Sequence, residues 1–286
     1  MKKRILLGVL LLAWVVGWTS CGEPIVYRGP MQLAQLAREQ IVNGNYVAAL
    51  NTLSRIAKES PESDYALKAN LLRVALLGGL ARGYQRLGQI HLEGYDNAMT
   101  VDYRDELHRT AMDYFGRAQT QVLELVETLD ALLPTLEGKA LVIDAPLPTV
   151  PVEANPAVVR LRAGRRLLDA ERVQIEPEEI RRSLVEMLAA LVGAADDPAR
   201  ARALYAQGNT PLEPDIFFLA VGRELIALSG IFAYRALNTP HFHRLLHERA
   251  LTAVDKVLAA GRKPPSPVLE EAQKLQRQCR RVLRKS

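Results

Sequence analysis

Apolar residues at Leu107, Ala111, Tyr114, Ala118, Val122, Leu125, Leu129 and Leu132 step by three or four along the chain, the period of one helix face. They predict a helix of about 30 residues, with Asp102 as its N-cap. A second long pattern precedes it. Leu67, Leu71, Val74, Leu77, Leu80, Ala81, Tyr84, Leu87 and Ile90 predict one helix over 64–91. Gly78, Gly79, Gly83 and Gly88 fall inside it, and each costs about 1 kcal/mol relative to Ala in a helix interior. That cost is tolerable where another helix packs against the glycine face; otherwise the helix breaks near Gly78-Gly79. Residues 94–100 read as the loop between the two helices, short enough to make them antiparallel.

Upstream, Leu33, Leu36, Ala37 and Ile41 mark a shorter helix, and Tyr46, Ala49, Leu50, Leu53, Ile56 and Ala57 mark another. Asn43-Gly44-Asn45 supplies the turn between them, and Pro61 stops the second. This segment resembles a tetratricopeptide repeat (TPR), a helical hairpin of about 34 residues. Leu33, Leu36, Ala37 and Gln40 stand at the first helix's pattern positions, and Gly44-Asn45-Tyr46 fits the turn. Ala49, Leu53, Ile56 and Pro61 stand at those of the second helix. Leu33, Ala37 and Gln40 replace the Trp, Gly and Tyr of the pattern. The 30-residue scale of the later helices departs from a regular array after this first repeat.

Residues 134–156 break the helical pattern with Pro134, Pro146, Pro148, Pro151 and Pro156. Ala140-Leu-Val-Ile143 within them reads as a strand or an extended plug. Helices then resume over Val158–Val173, from Pro177 to Val192, from Asp197-Pro198 to Ala206, over Ile216–Leu237, from Thr239-Pro240 to Gly261, and after Pro267 to Leu283. The segment from Gly208 to Pro214 reads as a loop. Arg223, Glu224 and Arg235 make Ile216–Leu237 a core helix and not a membrane span. The fold class is therefore all-α: a TPR-like helical-hairpin solenoid or bundle with long antiparallel helices and an irregular Pro-rich crossing. Residues 31–133 form one helical half, 134–156 the crossing, and 157–286 the second half.

Charge adds an asymmetry. The formal net charge is +5, and Lys2, Lys3 and Arg4 carry three of those charges. The segment from Arg262 to Ser286 holds eight basic and two acidic residues, a net +6, which leaves the body between at about −4. A basic terminal helix suits anionic headgroups or an acidic partner, or simply a solvated face.

The three N-terminal cations precede the uncharged apolar run Ile5–Trp18, the pattern of an export signal. Thr19 and Ser20 then precede Cys21. This resembles the lipobox of bacterial lipoproteins, with Trp18 where that family usually has Leu. The resemblance implies that residues 1–20 are a removed signal peptide, that Cys21 carries diacylglycerol, and that residues 21–30 are a tether. Gly22 after the cysteine implies the outer membrane, facing the periplasm, by the family's sorting rule.

Candidate chemistry is sparse. His243 and His247 share a helix face with His241 nearby, but no third metal ligand stands at ordinary spacing. Glu176, Glu178 and Glu179 are expected in a helix's first turn, where they favour the dipole. No phosphate loop, nucleophile elbow or cysteine cluster is present. With Cys21 acylated, Cys279 is a lone thiol. The expectation is a non-enzyme with no metal and no cofactor, and no contact with nucleic acid for an exported chain. The resemblances imply a protein–protein scaffold for an envelope partner, with Gln32, Gln35, Glu39 and Asn43 on the first repeat's inner face carrying the contact. The alternative is an accessory lipoprotein binding a small apolar ligand or lipid for a transporter, with the glycine-bearing helix and Ile216–Leu237 lining its cavity.

Overall fold

A computed structural model of the chain describes residues 29–151, 153, 155–233, 239–259 and 264–284. Cys21, the signal segment, most of the tether, and Arg235, Leu237 and Gly261 lie outside the described residues. Among the described residues there are ten α-helices and one two-stranded ribbon of six residues, so the fold class is all-α.

Helix α1 (Pro30–Val42) buries Leu33, Ala37 and Ile41. It ends in a Schellman closure: Asn45 N–H donates to Gln40 O at 2.7 Å and Gly44 N–H to Ile41 O at 3.0 Å. That closure needs the left-handed φ of 77° at Gly44, which glycine adopts without steric cost. Helix α2 (Tyr46–Glu59) returns against α1, with Ala49, Leu53 and Ile56 buried. The Thr52 hydroxyl donates to Gln40 Oε1 at 2.9 Å and ties the hairpin.

Helix α3 (Asp64–Asn97) starts at Ser63, whose hydroxyl accepts the Ala66 N–H. It is continuous through Gly78-Gly79, and its 34 residues span about 50 Å. The glycines are where its neighbours come closest. A Cβ at Gly79 would lie 2.7 Å from Leu184 Cα, and one at Gly88 would lie 2.7 Å from the Phe115 ring. Helix α4 (Val101–Leu132) runs antiparallel to α3: Tyr95 faces His108, Tyr84 faces Tyr114, and Arg73 pairs with Glu124. Thr100 takes the N-cap and Asp102 falls in the first turn. The loop expected over 94–100 shrinks to Ala98–Thr100, because α3 continues to Asn97.

The crossing carries strand β1 (Leu141–Ile143), packed on α3 and paired antiparallel with β2 (Thr210–Leu212). β2 lies in the segment expected to be a loop. Pro211 is tolerated there because a two-stranded ribbon has only edge strands.

The second half departs from expectation in its first helices. Helix α5 (Pro156–Arg162) stops early, and helix α6 (Asp169–Leu191) begins well before Pro177. Glu171 sets that start: its carboxylate accepts the Leu168 N–H at 2.8 Å. Pro177 lies inside α6, where the carbonyl of Val173 loses its partner. Both residues are exposed, so water can serve that carbonyl. Asp197 caps α7 (Pro198–Ala206) by accepting the Arg200 N–H at 2.9 Å. Helix α8 (Pro214–Ser229) passes into a 3-10 turn at Gly230–Ala233 instead of continuing as an α-helix. Helices α9 (Pro240–Val257) and α10 (Ser266–Leu283) pack on it.

Helix α3 is the hub. It touches α1, α2, α4, α5, α6, α8 and β1, and one cluster of buried side chains runs through both halves. A polar network crosses the same seam. Arg82 of α3 bonds both carboxylate oxygens of Glu224 on α8 and lies 3.7 Å from Glu186 of α6, which Arg86 also holds at 2.8 Å. Burial pushes the Glu224 carboxyl above the usual carboxylate range, and the Arg82 guanidinium opposes that shift.

Candidate functional site

Two parallel stripes of side chains face each other across a surface groove of about 390 Å³. On α1 they are Met31, Gln35 and Arg38, spaced to share one helix face. On α3 they are Tyr65, Lys68 and Leu72, which step by three and then four and also share one face. Leu53 and Ile56 of α2, 2% and 1% exposed, form the apolar floor. Met31 stands 55% exposed on one wall.

The open end of the β-ribbon reaches into this groove. The register pairs Ile143 with Thr210, so Asp144 and Asn209 are the next residues opposite each other. Asp144 accepts from Arg38 on the α1 wall at 2.6 Å, and Asn209 Oδ1 accepts from Lys68 on the α3 wall at 2.7 Å. Each wall cation is therefore held by one side of the ribbon. Asn209 has a left-handed φ of 44°, next to Gly208 at 64°; Asn is among the residues that tolerate this region. The Arg38–Asp144 pair is half exposed, so it contributes about 1 kcal/mol at most.

Of the residues expected to carry a contact, Gln35 lines the groove. Gln32, Glu39 and Asn43 are exposed on α1 and its C-cap but do not line it. Sequence reasoning did not pick out Arg38, Tyr65, Lys68, Asp144 and Asn209. Arg38 lay within the α1 periodicity, whereas Asp144 and Asn209 arrive through ribbon pairing and had no local signal.

The other candidates are drawn into the packing. Glu176, Glu178 and Glu179 are not in a first turn; Asp169 and Glu171 hold that place in α6. Glu176 accepts from the Tyr114 hydroxyl at 3.0 Å, Glu178 accepts from Asn155, and Glu179 is buried beside Arg182. The tyrosine hydroxyl of Tyr114 is pushed up by its burial and by that carboxylate. His247 is 2% exposed, with Nδ1 2.9 Å from His243 O. Burial and the neighbouring His247 hold the His243 imidazole below its ordinary range, and the His241 ring lies tilted against Phe242. Among the described residues no three His, Cys, Asp or Glu groups converge to hold a metal, and no helix is long and apolar enough to cross a membrane. Cys279 is buried in α10, and burial pushes its thiol up to about 11.

Comparison with family models, curated proteins and solved structures finds no match to the chain.

Proposed function

We propose that the chain is a non-catalytic scaffold of the bacterial cell envelope, tethered through an acylated Cys21 and binding a protein partner in the α1–α3 groove. The ribbon-clamped groove is the observation that carries this reading. An apolar floor between two cation-bearing walls suits an extended segment with one apolar side chain for Leu53 and Ile56 and a carboxylate for Arg38 or Lys68. The groove also lies between the first and third helices of a hairpin stack, the place where a TPR-like array receives its ligand. The lipobox resemblance supports the tether, with the outer membrane facing the periplasm as its location.

The packing gives less support to a small apolar ligand or lipid held for a transporter. Gly79 and Gly83 lie against Leu184 and Ile180, and Gly222 of α8 lies against Val254, so these glycines face packed helices. Three measurements test the proposal. The mass of the mature protein should show acyl chains on Cys21, and Cys21→Ala should release the protein from membranes. Purification from detergent-solubilised envelopes should bring down a defined partner; a consistently partner-free protein would sink the scaffold reading.

A further inference from the structure

Helix α10 turns one face to the core and a cationic face outward. Ala272, Leu275 and Cys279 are buried against α8 and α9. Lys274, Arg277, Arg280, Arg281 and Arg284 are all exposed, and at 3.6 residues per turn they fall within one third of the helix circumference. They form a row about 15 Å long. Among the described residues none of the five makes an ion pair. The neighbouring acids are already engaged: Glu271 with Arg223, Asp255 with Gln276, and Glu270 with Ser266.

We infer that this row is a docking surface for anionic phospholipid headgroups. Its charge is complementary to such a layer, and the chemistry of the face favours lipid over the other polyanions. Gln273 stands between the cations and Gln278 beside them, and the exposed residues from Gln273 to Arg284 include no aromatic or aliphatic side chain. A protein partner concentrates its binding energy in desolvated pockets at the centre of its footprint, and none of these five cations lines any of the four main grooves. A single-stranded nucleic acid needs aromatic rings for its bases. A headgroup layer needs only a row of cations near the surface. The inference rests on the tethered reading and deepens it: acyl chains on Cys21 hold the chain at a bilayer, and the cationic row fixes which face of the helical body meets the headgroups.

The test uses the full chain with Cys21→Ser and Gln273→Cys, labelled with an environment-sensitive dye; buried Cys279 leaves position 273 as the labelled site. Mixed phosphatidylcholine–phosphatidylglycerol vesicles should shift the dye emission, pure phosphatidylcholine vesicles should not, and salt should reverse the shift. Replacing Lys274, Arg277 and Arg281 by Gln should weaken that response on the order of 100-fold, about fivefold per charge removed. These side chains are exposed, so circular dichroism of the variant should match the parent. An equal response to both vesicle types, no response, or a response indifferent to the three substitutions overturns the inference, as does a shift elicited only by nucleic acid or an acidic protein. Because the dye reports on α10 and the test chain lacks Cys21, its failure is separable from a failure of acylation, which mass measurement reads independently.

Discussion

Gly79→Ala should destabilise the protein even though alanine is the better helix former. In an isolated helix the change gains about 1 kcal/mol. In this chain the new methyl carbon would lie 2.7 Å from Leu184 Cα and 3.2 Å from Leu184 N. Those atoms belong to the backbone of α6, so relief requires moving a whole helix. Overpacking of that kind costs about 1–3 kcal/mol; a rigid backbone obstacle belongs at the upper end, for a net loss of about 1–2 kcal/mol. Gly116→Ala in α4 is the internal control: the same chemistry with nothing within 4 Å of the added carbon should stabilise by up to about 1 kcal/mol. Thermal unfolding followed by circular dichroism should separate the two variants, at roughly 2–4 °C per kcal/mol for a chain in this size range. If Gly79→Ala raises the melting temperature as much as Gly116→Ala, α3 and α6 do not meet at this point and the hub arrangement is wrong.

Other consequences follow from the buried polar groups. His91 is 7% exposed and its Nδ1 lies 2.8 Å from Leu87 O; burial holds the imidazole below its ordinary value of 6.5. The unfolded chain therefore takes up the proton first, so stability is full above about 6.5 and falls as the pH drops below it. Urea midpoints measured at neutral and mildly acidic pH should differ less in His91→Phe than in the parent; an unchanged difference removes His91 from the account. The Cys279 thiol, buried and pushed up to about 11, should resist thiol reagents at mildly alkaline pH in the native protein and react on unfolding. Prompt labelling of the folded chain would mean that α10 is not seated on α8 and α9.

The long helices were legible because their apolar residues keep one period for about seven turns, and tertiary packing had only to agree. The glycines of α3 were legible as a packing surface for the same reason: their cost demanded a neighbour, and Leu184, Ile180 and Phe115 supply it. The start of α6 was misread because Pro177 is a good first residue, whereas the cap actually used is a backbone N–H bonded to Glu171. β2 was missed because Pro211 breaks the strand signal of Thr210-Pro211-Leu212, and the strand exists through pairing with a segment far away in sequence. The same non-local pairing hid the groove. Gln35 could be placed from α1 alone, but the cations that matter are defined by the ribbon residues holding them.

Site-specific photocrosslinking in intact envelopes tests the central claim most directly. A photoreactive residue at Gln35 lines the groove, and one at Asn43 is exposed at the far end of α1. The account predicts a discrete protein adduct from position 35, lost when Arg38 and Lys68 are both changed to Glu, and none from position 43. No adduct at position 35, the same adduct at both positions, or an adduct indifferent to the two charge reversals would contradict it.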